Sequence, residues 1–387
     1  MLIFHARAPE GSGPLVRRLA EARRALADRQ RVAFLAAGAD EVEIVSGLPD
    51  GLQFGERLGA AVRARLAAGG ALAGGAADGG VTAGGAIILG SGSIPLARPA
   101  DLRRFVEVAA GPGGHALANN RYSADVVAIS RAADLSELPP LPTDNALPRW
   151  LEERVGVVVA DLRSRWRLGV DIDSPLDLVV LDVMSAGHGT RAGASDGAGH
   201  VTAPLLGERL AGLADVLRNR RAEILVAGRV SATTLKWLER GVACRVRALV
   251  EERGLRAASR LAQSGVTTGS RPSRSVLGEL LDRDGPESLA RTVARLADAA
   301  VIDTRVLLAN RHGADESGWP PAEDRFASDL LLVAPIADPW LRALTESAAS
   351  SPSDHPILLG GHTMVNGGLR LLAARVGLAA RPRAEKP

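Results

Sequence analysis

Apolar residues recur at helical spacing over residues 15–37, where Leu15, Leu19, Ala22 and Leu26 share a face and Gly38 ends the run. A short apolar strand at residues 2–5 and a Gly/Pro loop at 9–14 precede it. Residues 41–46 alternate like a strand, and residues 55–68 return to the helical period. The Gly/Ala tract at 69–85 reads as a flexible loop. After it, residues 86–89 form an apolar run of the buried-strand type, ending in Gly90-Ser91-Gly92-Ser93. A helix at 101–110, a strand at 126–129 and a helix at 147–154 follow. This alternation predicts an α/β fold, with a mostly parallel sheet covered by helices on both faces.

Residues 186–204 are rich in Gly, Ala, Ser and Thr and read as a linker. They divide the chain into a first domain at 1–185 and a second α/β domain at 205–380. In the second, strands are expected at 223–227, 244–250, 300–302 and 357–359, with helices after Ser231 and at 275–282, 286–297 and 365–376. The halves show no internal repeat, and the tail at 381–387 reads as frayed.

With 387 residues, 46% apolar and 24% charged, the chain has ample material for two cores and is not of the disordered class. No run reaches about 18 uncharged apolar residues, so no membrane-spanning helix is expected. The opening residues lack the charged and apolar regions of a secretory signal. A single cysteine, Cys244, permits no internal disulfide and no cysteine metal cluster. These features point to a bacterial cytoplasmic protein. Lysine occurs only at Lys236 and Lys386, so 45 of the 47 basic residues are arginine. They alternate with acids, and the net charge is only +3. Without clustered charge or aromatic stacking surfaces, nucleic acid is not an expected partner.

Several segments of the first half carry chemistry beyond packing. The glycine-containing loop before the first long helix offers backbone N–H groups to an anion, with Arg7, Arg17 and Arg18 adding charge. The turn Gly90-Ser91-Gly92-Ser93-Ile94-Pro95 follows a buried strand, where open α/β sheets bind ligands. In DIDSPLDL at 171–178, Asp171 and Asp173 are two apart on an extended segment and suit a hard divalent cation such as Mg²⁺. The same residues also read as a helix start, with Asp173 or Ser174 as cap and Pro175 at the first position. The polar run from Asn119 to Asp125 offers Asn119 and Asn120 to hydroxyls, Arg121 to an anion and Asp125 to a metal. Equally, it reads as a loop of local Asn and Ser turns. The segment Thr143-Asp144-Asn145-Ala146-Leu147-Pro148 reads as a helix start.

Taken together these segments resemble the GT-A-type nucleotidyltransferase and glycosyltransferase superfamily. Its nearest branches are small bacterial GT-A-like proteins, molybdenum-cofactor guanylyltransferases and phospholactate guanylyltransferases. Phe4-His5-Ala6-Arg7-Ala8-Pro9 and Arg18-Leu19-Ala20 echo the opening nucleotide loop, and Gln53-Phe54-Gly55-Glu56-Arg57-Leu58 is similar to a second family segment. Gly92-Ser93-Ile94-Pro95 stands where the family carries a metal-binding G-D-x-P turn, and 171–178 matches its closing motif throughout. The resemblance implies a GT-A-like fold over about residues 1–185. It also implies transfer of a nucleotidyl group from an NTP to a phosphorylated small molecule. Mg²⁺ would sit on Asp171 and Asp173, Asp173 and Asp125 would serve catalysis, and Arg7, Arg17, Arg18, Ser93 and Arg121 would hold the nucleotide. Two departures stand out. The nucleotide loop has no lysine, and Ser93 replaces the metal-binding aspartate with a neutral hydroxyl. The alternatives are a non-catalytic nucleotide-binding or scaffold protein with its ligand site in the second domain, or a glycosyltransferase using a nucleotide-sugar with a small anionic acceptor. A homodimer is left open.

In the second half, Gly228-Arg229-Val230-Ser231 and Gly360-Gly361-His362-Thr363 each lie between a strand and a helix. Asp303-Thr304-Arg305 and Glu251-Glu252-Arg253-Gly254 follow two further strands. Polar residues at strand C-termini are how α/β proteins build sites, which makes Arg229, Ser231, Asp303, Arg305 and His362 candidates. The other reading is that each Gly is a turn and each Ser or Thr a cap. His188 and His200 read as solvated linker residues, and Cys244 as a buried thiol.

Overall fold

Strands β1 (Leu2–Ala6), β2 (Glu43–Gly47), β3 (Ala76–Ala77), β4 (Gly80–Val81), β5 (Ala86–Gly90), β6 (His115–Ala118), β7 (Val126–Ile129) and β8 (Val158–Asp161) occupy the first half of the computed structural model. Strands β9 (Glu223–Gly228), β10 (Arg245–Val250), β11 (Ala299–Asp303) and β12 (Ile357–Gly360) occupy the second. The structure describes residues 1–68, 76–77, 80–81, 84–141, 146–185, 204–252 and 274–378. Most of the expected linker, with His188 and His200, therefore lies outside the described residues, as do residues 142–145 and the tail.

The described residues form two compact units. One comprises Met1–Ser12 and Arg17–Ile172, the other Gly13–Val16 and Asp173–Pro387. The division falls inside the DIDSP segment, earlier than the compositional break.

The first unit holds a six-stranded sheet in the order β2-β1-β5-β7-β6-β8. It is mixed: β7 runs antiparallel to both β5 and β6, while the remaining pairings are parallel. Side chains alternate across the sheet, so β5 sends Ala86 and Ile88 to one core and Ile87 and Leu89 to the other. Leu58, Val62, Leu135 and Leu151 cover the first face, and Phe34 and Phe105 the second. Helix Pro14–Ala36 follows the expected period, with Leu15, Leu19 and Leu26 buried. The Gly/Ala tract is not loop throughout, because Ala76 and Ala77 pair antiparallel with Val81 and Gly80.

The second unit is a wholly parallel sheet in the order β10-β9-β11-β12. Strands β11 and β12 are buried throughout and β9 nearly so, as expected for strands covered on both faces. Helices Pro204–Arg218, Thr304–His312, Ala322–Asp329 and Pro339–Ala349 extend the expected pattern. The helix expected at 286–297 is a 3₁₀ turn, Pro286–Ser288, followed by Leu289–Ala294. Among the described residues, no helix is long and apolar enough to cross a membrane.

Candidate functional site

Each sheet has one place where the chain changes direction of travel across it, and ligands of open α/β sheets bind beyond the strand C-termini at such points. In the first unit that point lies between β1 and β5, since β1 pairs with β2 on one side and with β5 on the other. Arg7 leaves the end of β1, exposed, with its N–H donating to Gly47 O at 2.8 Å. The turn after β5 carries Ser91, Gly92 and Ser93. His5 Nδ1 lies 3.1 Å from Ser91 Oγ, and Gln30 Nε2 donates to Ser93 O at 2.5 Å. Burial lowers the His5 pKa, helped by Arg24 and Arg23.

Two backbone features mark this turn. Ile94 has φ +47°, a conformation a β-branched residue rarely adopts, yet its side chain is 2% exposed. Strain of this kind persists where surrounding packing imposes it, and it concentrates at functional turns. Ser93 also forms an antiparallel bridge with Asp171, and Ile172 N–H donates to Gly92 O at 3.0 Å. The closing motif is thus stitched onto the turn at the switch point, and Arg23 Nε secures it by donating to Ile172 O at 2.6 Å.

Because β7 is reversed, its first residues meet the C-terminal ends of β5 and β6, which brings Asp125 and Asn119 to the same edge. Asn119 is not a free hydroxyl ligand. Its Nδ2 donates to Asp125 Oδ2 at 2.7 Å and to Leu168 O at 2.8 Å, and its Oδ1 accepts from Asp125 N at 2.9 Å. Asn120 Oδ1 accepts from Tyr122 N at 3.1 Å, a local Asn turn. Arg121 forms an ion pair with Glu152, and the guanidiniums of Arg121 and Arg163 flank the Tyr122 ring. An anion at Arg121 would have to compete with that carboxylate.

The long helix does not open as a vacant anion site. Leu15 N–H and Val16 N–H donate to Glu323 Oε1 and Oε2 at 2.9 and 3.1 Å, both partners belonging to the second unit. Arg17 is exposed and donates to Ser12 O, and Arg18 is half-buried.

Asp173 belongs to the second unit, where its Oδ2 lies 3.7 Å from His362 Nδ1. The expected helix start is present at Pro175–Ser185, and Asp177 completes it. Asp177 Oδ2 accepts from Asp173 N, Ser174 N and Ser174 Oγ at 2.9, 2.7 and 3.0 Å. Burial, with the nearby Asp173 charge, pushes the Asp177 pKa up to about 7.

In the second unit the switch point lies between β9 and β11, and sequence candidates gather there. Arg229, after β9, donates from Nε to Asp303 Oδ2 at 2.7 Å and from Nη2 to Oδ1 at 3.3 Å. Burial would raise the Asp303 pKa, but the Arg229 guanidinium holds it below the ordinary carboxylate range. Gly228 has φ +124°, and a Cβ there would collide with Asp303. Asn366 joins the neighbouring loops: Oδ1 accepts from Ser231 N at 2.9 Å, and Nδ2 donates to Arg229 O and His362 O at 2.9 and 2.7 Å.

Other candidates serve the fold. Ser231 caps helix Ala232–Gly241, accepting from Thr234 N at 3.1 Å. Arg305 is buried and grips both carboxylate oxygens of Asp329. Glu251 accepts from Ser275 Oγ and Val276 N, both at 2.6 Å, so it caps helix Val276–Asp284. Sequence reading missed Asp329 and Asn366, and named Thr363 only as part of the turn after β12. Only Asn366 left a signal, lying one helical turn beyond His362.

Among the described residues, no group of three or more His, Cys, Asp or Glu side chains could hold a metal ion. No family model, curated protein or solved structure matches the chain.

Proposed function

We propose that the first unit handles a nucleotide at the β1/β5 switch point and acts in nucleotidyl transfer from an NTP to a phosphorylated small molecule. The observation carrying this reading is the Ser93–Asp171 bridge, which seats the closing motif on the glycine turn at that point. Arg7 lies at the same edge with its guanidinium exposed, suited to phosphate oxygens. Among the described residues there is no three-carboxylate cage, but Mg²⁺ is commonly held by one or two carboxylates together with substrate phosphates. Asp171 and Asp125 fit that donor set, and a cation there would neutralise phosphate charge. The chain's own part is to bind and orient: Arg7 holds phosphate, the strained turn positions Ser93 beside Asp171, and Asn119 fixes the Asp125 carboxylate.

A second reading is nucleotide binding without transfer. Buried Ser93, neutral where the resembled family carries a carboxylate, favours it.

Thermal unfolding with each NTP, with and without Mg²⁺, tests the proposal in wild type and Asp171→Asn. Ligand at a hundred times its dissociation constant stabilises the native state by about 2.7 kcal/mol. A Mg²⁺-dependent shift with one NTP, lost in the variant, supports the reading. Release of pyrophosphate with a phosphorylated acceptor then separates transfer from binding. No shift with any NTP overturns both.

A further inference from the structure

We propose that the carboxyl edge of the second unit's sheet binds a small phosphate-bearing molecule through Arg229, His362 and Thr363. This site is independent of the nucleotide reading of the first unit. The topology supplies the location, since Arg229 follows β9 and Asp303 ends β11 on either side of the switch point. His362 and Thr363 follow the end of β12, the next strand over.

Arg229 is held ready to bind. Asp303 engages its Nε and Nη2, while Nη1 makes no hydrogen bond among the described residues and the side chain remains 21% exposed. A guanidinium locked by one buried carboxylate loses little further freedom when its outer donors meet an anion. Asn366 bonds both the Arg229 and His362 carbonyls, so the loops carrying the two side chains are tied together before any ligand arrives.

Thr363 supplies the independent sign of a ligand. The residue is only 3% exposed, yet among the described residues Oγ1 has no hydrogen-bond partner. Leaving a buried hydroxyl unsatisfied is costly, and native proteins rarely do so without a reason. A phosphate oxygen next to His362 would accept that hydrogen bond.

The surrounding acids do not spoil the site. Asp303 and Asp329 are neutralised by Arg229 and Arg305. Asp177 is satisfied by backbone and hydroxyl donors. Asp173, 46% exposed and 3.7 Å from His362, is the anion a phosphate would displace. Guanidinium, imidazole and hydroxyl donors on Arg229, His362 and Thr363 suit a tetrahedral oxyanion better than a planar carboxylate.

The test is calorimetric titration of the full chain with inorganic phosphate and with glycerol 3-phosphate, using succinate as the carboxylate comparison. Thr363→Val and His362→Gln should each weaken phosphate binding about tenfold. Thr363→Val deletes no existing hydrogen bond, so it should unfold no more readily than wild type. Asp173→Asn should tighten binding by removing the competing anion, which a merely structural role would not produce. Absence of phosphate binding in wild type overturns the proposal. So does unchanged binding in Thr363→Val and His362→Gln, or a preference for succinate.

Discussion

Arg229 and Asp303, 74 residues apart in the chain, meet at 2.7 Å where β9 and β11 end, and the carboxylate is wholly buried beneath the guanidinium. The pair closes the switch point of the second sheet and fixes one loop on each side of it. Its electrostatics can be read by titration. The Asp303 pKa is depressed in the folded chain from an ordinary value of 3.8. Its stabilisation is therefore present above the unfolded value and is lost as pH falls through the folded one. Asp303→Asn should flatten the acid limb of the stability profile below about pH 5, followed by urea unfolding at a series of pH values.

A buried pair of the same kind lies behind it. Arg305 Nη2 donates to Asp329 Oδ2 at 2.6 Å, and its Nη1 bonds the other oxygen. Asp329→Ala strands a buried cation and should cost about 3–5 kcal/mol in urea unfolding. Combining Arg305→Met with Asp329→Leu should recover most of that loss, because both desolvation penalties disappear together.

Gly228→Ala should destabilise by well over ~1 kcal/mol, since it adds backbone strain at φ +124° to a collision with Asp303. Gly313→Ala, at φ +89° with open space around its Cβ, should cost less. Paired thermal melts of the two variants measure the difference.

Cys244 is buried, and burial pushes its thiol up to about 11. The native chain should resist alkylation by iodoacetamide at pH 8, and the urea-unfolded chain should react fully. Intact-mass spectrometry distinguishes the two.

Ser93→Asp would place a second carboxylate in a buried turn bridged to Asp171. Without a divalent cation the variant should melt below wild type, and Mg²⁺ should restore it, a difference read by thermal melts with and without the ion.

Hydrophobic periodicity alone determined most of the α/β skeleton. The apolar run that became β5 and the turns beside Arg229 and His362 were legible because strand and helix periods are local properties of consecutive residues. Strands β6 and β8 went unread, although β8 carries an apolar run at Val158, Val159 and Ala160. Helix Pro204–Arg218 carried a readable signal in Leu206, Leu210, Leu213 and Leu217. Tertiary structure alone decided the reversal of β7, which brings Asp125 to the edge where β5 ends. It alone also decided that Asp329 meets Arg305, that Glu323 takes the N–H groups of Leu15 and Val16, and that Asn119 is consumed by its own scaffold. Pairing register and buried-charge compensation depend on residues tens to hundreds of positions apart, and no local pattern encodes which of them will meet.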